Sequence, residues 1–400
     1  MDWWNEKSLL ENVNDVWQKI SEVDEDEDEH AKILSFYNNL LEFLINEFNI
    51  SLDAMMKAVE YIKNKYRQLS LYRILKIDYN DTINCLAYLH TFAACHAAMV
   101  ESALVKVFYN DYIKIKEIEH LFVEKSHLKL ICFGSGPGND VVGFLSACFG
   151  KHHDFSNLDI TAVDKMAGWE VIFHHTMRQL RNGLEKSDAS KIIENVEVSS
   201  SFLEEDITIK SILWKKTTLA KLGTADVVLL VKVLSTISDF KSLALQNIVD
   251  NMKPNALLFF IDWPVPEAEF KDVCTSSGMK VIYKTEEEHF NFSHKRETFG
   301  EHNLTRSKFA VVILVKTDFK QNNEIPCLED GCEWPTLMKT DTNQKYKMPC
   351  TEGGCEWPAL QHRRQTGDQD MHNKRKNSGQ VLFSNKSGNL VSLTKQVGRK

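Results

Sequence analysis

Apolar residues recur at helical spacing through the first third of the chain and in short continuous runs after it. Ile33, Leu34, Phe36, Leu40, Leu41, Phe43, Leu44 and Phe48 fall three and four residues apart, which predicts a helix with one buried face. Ser51, with Asp53 two residues on, predicts the cap of a second helix carrying Met55, Met56, Val59, Ile62 and Tyr66. Asp81 predicts the start of a third, Ala-rich helix running toward Val107. Neither Gly nor Pro occurs from Met1 to Phe133, as suits an unbroken helical layer. From Leu128 onward, apolar runs at 128–133, 158–163, 196–202, 225–233, 256–261, 279–283 and 309–315 read as strands covered on both faces. Helical patterns at 141–149, 169–184 and 240–252 separate the earlier runs, and this alternation predicts a doubly wound parallel sheet. The last two runs are joined by residues 284–308, which leave room for only a loop or short hairpin. The fold class expected is α/β: a seven-stranded, mostly parallel, Rossmann-like sheet with an α-helical amino-terminal region.

Composition changes little in this picture. The chain has 400 residues, 43% hydrophobic and 26% charged, values of a globular protein. A net charge of −8 argues against a surface that coats nucleic acid. The charge is uneven: residues 24–29 form an acidic block and the segment after Gln361 is basic, both read as solvated segments. The amino terminus lacks the basic and apolar regions of a secretory signal, and nine cysteines do not form an even disulfide framework. Residues 82–100 carry no Asp, Glu, Lys or Arg, but Asn84, His90, Thr91 and His96 would be costly in lipid, so a buried helix is expected rather than a membrane span. A cytoplasmic location, with the nucleus as a second place, follows as an expectation. The organisation expected is a helical region over 1–125, a nucleotide-type domain over 126–318, a duplicated motif over 319–360 and a basic disordered tail over 361–400.

The chemistry is concentrated at the end of the first strand. There the chain reads Gly134-Ser135-Gly136-Pro137-Gly138-Asn139-Asp140, a turn that only glycines make tightly enough for backbone to approach a nucleotide. Its Gly-x-Gly-x-Gly spacing is not the Gly-x-Gly-x-x-Gly of dinucleotide enzymes, because position 139 is Asn. Backbone N–H groups here and the following helix start are placed to meet a polar ligand. The second strand ends at Asp164, where a carboxylate can accept hydrogen bonds from two ribose hydroxyls.

This spacing resembles the first motif of class I S-adenosylmethionine-dependent methyltransferases, and the resemblance spans about residues 128–316. The closing strand pair resembles that family's sheet, whose final strand inserts antiparallel. More narrowly, Gly136-Pro137-Gly138-Asn139-Asp140 with Asp164-Lys165-x-x-x-Trp169 is similar to a subgroup of poorly characterised eukaryotic methyltransferases, with Ser135 and Asn139 replacing a Gly and a Ser of that pattern. The resemblance implies S-adenosyl-L-methionine as cofactor, with Gly134, Ser135, Gly136, Pro137 and Gly138 at its methionine end and Asp164 and Lys165 beside its ribose. It implies an acid and an apolar residue at the adenine. Asp206-Ile207 matches best, with Glu204 and Glu205 as alternatives. Val231, Lys232 and Val233 would line the pocket under the sulfonium. The methyl acceptor and the catalytic residues stay undefined. Asn/Asp-Pro-Pro-Tyr/Phe is missing after the fourth strand, which disfavours exocyclic amines of nucleic acid, and no Pro-Cys pair supports pyrimidine C5 methylation. Asp262, Trp263, His289, His294 and His302 lie where an acceptor could enter, while His174 and His175 read as helix surface. The amino-terminal helices are expected to cap the site, by analogy with other methyltransferases.

Past Lys316 two copies of one motif follow, Cys327-x4-Cys332-Glu-Trp-Pro and Cys350-x4-Cys355-Glu-Trp-Pro. Four thiolates in two equal half-sites suit one tetrahedral zinc, and a partner-binding tandem motif or a plain duplication are the alternatives. The basic tail offers contacts to a protein or nucleic-acid partner. A catalytically silent methyltransferase-like scaffold acting through these repeats is the competing function.

Overall fold

The computed structural model describes residues 28–318 apart from 73–76, 110–114, 124, 150–154, 238–239 and 264–266. The Cys327, Cys332, Cys350 and Cys355 repeats, with the zinc expectation attached to them, and the basic tail lie outside the described residues.

Helices come first. Helix α1 (Glu29–Glu47) is capped by the Asp28 side chain, which accepts from His30 N, and it buries Ile33, Phe36, Tyr37, Leu40, Leu41 and Leu44 along one stripe. Helix α2 spans Leu52–Tyr72. Asp81 caps α3 (Thr82–Tyr88), which runs through a π-turn at Leu89–Ala93 into α4 (Ala94–Phe108). The combined segment of 27 residues is apolar and long enough to cross a membrane, yet most of it is buried inside the fold. Burial also explains its composition, because Ala and Gly allow close crossings. A side chain at Gly143 would stand 2.4 Å from the Ala97 carbonyl oxygen. Helix α5 is Lys116–Val123.

The sheet then follows as β1 (His127–Phe133), β2 (Asn157–Asp164), β3 (Glu197–Glu204), β4 (Val227–Val231), β5 (Leu257–Asp262), β6 (Met279–Lys284), β7 (Glu288–Asn291) and, after a small hairpin of β8 (Glu297–Thr298) and β9 (Glu301–His302), β10 (Arg306–Lys316). Between the strands run α6 (Asn139–Cys148), α7 (Trp169–Arg181), α8 (Asp188–Asn195), α9 (Lys216–Leu222), α10 (Lys241–Asn251) and α11 (Glu267–Ser276). Strand order is β3-β2-β1-β4-β5-β10-β6. Strands β1 to β5 pair in parallel, and β10 lies antiparallel between β5 and β6. The doubly wound sheet and its antiparallel penultimate strand are as expected. Two details differ. β7 pairs with the first residues of β10, giving an eighth strand where only a loop or hairpin was expected. The long β10, which starts at Arg306 rather than Phe309, supplies the extra edge.

Alternation of side chains across each strand builds two cores. On one face Leu128, Leu130, Cys132, Val227, Leu229, Val231, Phe259 and Ile313 pack with α6, α7, α8 and the amino-terminal helices. On the other, Ile131, Phe133, Val228, Leu230, Phe260 and Leu314 pack with residues of α10 and with Trp214 and Leu222. The strands thus need apolar residues at nearly every position, which is why they read as continuous runs.

Candidate cofactor site

In an open parallel sheet a ligand sits beyond the strand carboxyl ends where the winding changes direction, and here that place lies between β1 and β4. The glycine turn fills it. Gly134, Gly136 and Gly138 have φ of +64°, +51° and +88°, the left-handed region. At Gly134 a Cβ would also stand 2.3 Å from Val233 Cγ2, and at Gly136 it would face the Trp169 ring at 3.7 Å.

The turn spends its own donors. Gly134 N and Ser135 N donate to the Val163 carbonyl at 2.7 and 3.3 Å, and Gly138 N donates to Ser135 O at 2.8 Å. Gly136 N donates to Asp164 Oδ2 at 3.1 Å. The expectation that these N–H groups are free for a ligand is therefore corrected: a turn this tight satisfies them internally. Ser135 Oγ donates to Asp140 Oδ1 at 3.0 Å, which also takes Val141 N. Burial pushes the Asp140 carboxyl up to about 7, against the pull of these two donors.

Asp164 stands beside the turn. Its second oxygen accepts from Met166 N at 3.0 Å, and burial raises the carboxyl to about 6 despite the backbone donors. Each oxygen keeps a lone pair for a ribose hydroxyl. Lys165 reaches Asp206 at 2.7 Å, while Asp206 Oδ1 accepts from Thr208 N and Thr208 Oγ1. Burial raises the Asp206 carboxyl, but Lys165 and Thr208 outweigh it and the group stays below the usual carboxylate range. Ile207 is buried beside it. Of the two alternatives to Asp206, Glu205 is engaged elsewhere, accepting from Lys215 N and Thr218 Oγ1 at the start of α9. Glu204 is exposed and pairs with Lys215.

The β4 side is built from side chains. Val231 is buried, and Lys232 takes φ +55°, an uncommon conformation for a residue with a Cβ. Its ammonium donates to the Lys308 carbonyl. Burial lowers the Lys232 amine, with Asp262 opposing. Asp262 is wholly buried, accepts from Ser235 N at 3.0 Å and Trp263 N at 2.7 Å, and is raised by burial more than Lys232 lowers it. Trp263 is half exposed under the Lys308 ammonium. His289 and His302 sit on the surface beside Glu287 and Glu297, and His294 is tied to Asp28 at 2.5 Å. These histidines do not converge with Lys232 or Asp262 through any contact among the described residues.

Sequence reasoning missed what the helical layer brings. Asn80 Oδ1 accepts from Gly168 N at 3.1 Å, and a side chain at Gly168 would stand 2.1 Å from the Tyr79 carbonyl oxygen. Trp169 packs on Tyr79 and Tyr88 with ring centroids 4.7 and 5.3 Å apart. Tyr88 Oη is 3.1 Å from His96 Nδ1, and Phe92 stacks on the same imidazole. Burial, and then Lys232, push His96 down to about 3, so it is neutral. Only the apolar spacing of Tyr88, Phe92 and His96, one turn apart, hinted at this row. His175, read as helix surface, is buried against Phe43. His174 is the exposed member of that pair. No group of three or more metal-ligating side chains occurs among the described residues.

No protein-family model matches the chain, and no curated protein matches its sequence. Solved structures do. A candidate class I S-adenosylmethionine-dependent methyltransferase from Listeria monocytogenes is 15% identical, covers 74% of this chain and 90% of its own, and has a TM-score of 0.38. An O-methyltransferase family protein from Burkholderia thailandensis is 11% identical over 67% of this chain and 73% of its own, with a TM-score of 0.34. A S-adenosylmethionine-dependent methyltransferase from Methanosarcina mazei is 12% identical over 50% and 97%, with a TM-score of 0.32. By its own sheet order, its one antiparallel inner strand and the place of its glycine turn after β1, the chain has a Rossmann-like α/β fold.

Proposed function

We propose that the protein is an S-adenosylmethionine-dependent methyltransferase. The observation that carries this reading is the joining of the three-glycine turn to Asp164 at the switch point of a sheet in this order. The residues present fit the cofactor. The missing side chains at Gly134, Gly136 and Gly138 leave backbone to form the floor. Asp164 offers two carboxylate oxygens for ribose hydroxyls and, by charge, disfavours a phosphorylated ribose. The pair Lys165 and Asp206 flanks the adenine side, and Ile207 gives it an apolar contact. Val231, Lys232 and Val233 bound the pocket on β4.

When bound, the cofactor supplies an electrophilic methyl group on a sulfonium. The protein's part is then positioning and exclusion of water, since an in-line displacement needs no protein nucleophile. Tyr88 and Phe92 of the helical layer, with Trp169 of α7, form an aromatic wall beside the glycine turn. His96, kept neutral by burial, meets that wall at Tyr88 and Phe92.

Transfer of labelled methyl from S-adenosylmethionine to fractionated cell extract tests the reading, with Gly136→Arg as control. Label in one fraction with the parent chain, and none with the folded variant, is the expected result. No label in any fraction, from a protein that binds the cofactor, would favour the silent scaffold instead.

A further inference from the structure

Lys232 bears two costs at one position. The first is its backbone: it follows β4 directly with φ +55°, which glycine adopts without strain and a residue with a Cβ does not. Its N–H donates to the Ile261 carbonyl at 3.0 Å. The next side chain, Val233, is the one that leaves no room for a Cβ at Gly134. Lys232 is thus fixed at the carboxyl edge of the sheet, beside the glycine turn. The strands there run in the order β4-β5-β10, so its ammonium reaches past the end of β5 to the Lys308 carbonyl on β10.

The second cost is its charge. That carbonyl is the ammonium's one hydrogen-bond partner among the described residues, so two of its three N–H donors are unused. No carboxylate among those residues stands within ion-pair distance of it. The two carboxylates whose charges reach it are committed elsewhere. Asp262 accepts from Ser235 N at 3.0 Å and Trp263 N at 2.7 Å, and Glu287 holds the Lys308 ammonium at 2.8 Å. A partly buried ammonium without a counter-ion is unfavourable unless a ligand supplies one. The same lip of the cleft continues with the half-exposed Trp263, whose ring lies 5.3 Å from the Lys308 ammonium. A sulfonium cofactor in this cleft would bring a further positive charge, and the two cations repel until an anion joins them.

We propose that the methyl acceptor is an organic acid, and that the Lys232 ammonium holds its carboxylate at the carboxyl edge of β4 and β5. One ammonium acts as a point charge and balances one negative charge, which favours a carboxylate over a phosphate dianion. The proposal names the substrate class of the methyltransferase reading and rests on that reading.

Calorimetry on the full chain tests the two apart, using S-adenosylmethionine and S-adenosylhomocysteine, which differ in charge at sulfur. Each is titrated in acetate or benzoate, and in the neutral acetamide or benzamide, at matched ionic strength. In the parent, the acids should tighten S-adenosylmethionine about 5-fold and leave S-adenosylhomocysteine little changed, while the amides do nothing. Lys232→Met should lose the response to acids and bind S-adenosylmethionine more tightly relative to S-adenosylhomocysteine. Lys232→Arg, which keeps the charge, should retain the response. A cooperative melt shows that Lys232→Met is folded; should it not fold, the response of the parent decides alone. If neither acid changed the affinity of the parent for S-adenosylmethionine, or if folded Lys232→Met kept the full response, the acidic acceptor would be overturned while the cofactor reading stood. If the parent bound neither S-adenosylmethionine nor S-adenosylhomocysteine, the cofactor reading and this proposal would fall together.

Discussion

The two sides of the cleft are made of different material. The β1–β2 side is backbone: three glycines in the left-handed region, closed on Val163 and on one carboxylate. The β4–β5 side is side chain: Lys232 in a strained conformation, its ammonium on the Lys308 carbonyl, with Asp262 buried at the end of β5. A backbone device needs particular residues at fixed spacing within one short segment. A side-chain device can draw its members from three distant segments, and it leaves no local pattern.

The difference predicts unequal tolerance to substitution. The largest effect is expected at Gly134. Ala there combines an unfavourable φ with a collision against Val233, and should cost about 3 kcal/mol in chemical denaturation. Gly136→Ala meets Trp169 only at ordinary contact distance, so about 1 kcal/mol of backbone strain is expected. Equal costs at the two glycines would break the account of a turn wedged against β4.

Buried acids give the next effect. Glu29, whose carboxylate takes the Asp188 N–H and Ser146 Oγ, is raised to about 7, chiefly by burial and then by the Asp188 charge, and Asp140 is raised likewise to about 7. A carboxyl whose folded pKa lies above its unfolded value favours the fold fully below the unfolded value. That contribution is lost as pH rises through the folded one. The ligand-free protein should therefore lose roughly 2 kcal/mol or more between about pH 4 and pH 7. Glu29→Gln and Asp140→Asn should each flatten that slope, read from melting temperature against pH. An unchanged slope in both variants would contradict the burial argument.

Smaller effects sharpen the contrast between the two sides. His96→Gln keeps an acceptor for the Tyr88 hydroxyl and should change affinity for S-adenosylhomocysteine by less than about threefold, as calorimetry would show; a loss near that of a double-hydrogen-bond deletion would move His96 to the cofactor side. Lys165→Met removes an ion pair whose lysine is largely exposed, and stability should shift by under about 1 kcal/mol.

Much of this molecule was legible in its sequence. The parallel strands are buried on both faces, so their runs stand out, and the glycine turn and Asp164 are contiguous or at a strand end. What was hidden has a physical cause. Tyr88, Phe92 and His96 read as a plain core row, since nothing local announces the Trp169 that Tyr88 meets. The β7 strand was missed because four residues pairing with one edge of β10 give too short a run to mark. Glu205 stood as an alternative to the better-matching Asp206 until the start of α9 claimed it.

The most direct measurement of the central claim is calorimetry of S-adenosylhomocysteine with the full chain and with Gly136→Arg, which places a long side chain in the mouth of the turn. One molecule should bind per chain to the parent, and none to the variant at the same concentrations. Equal binding by both would contradict the placement of the cofactor on the glycine turn.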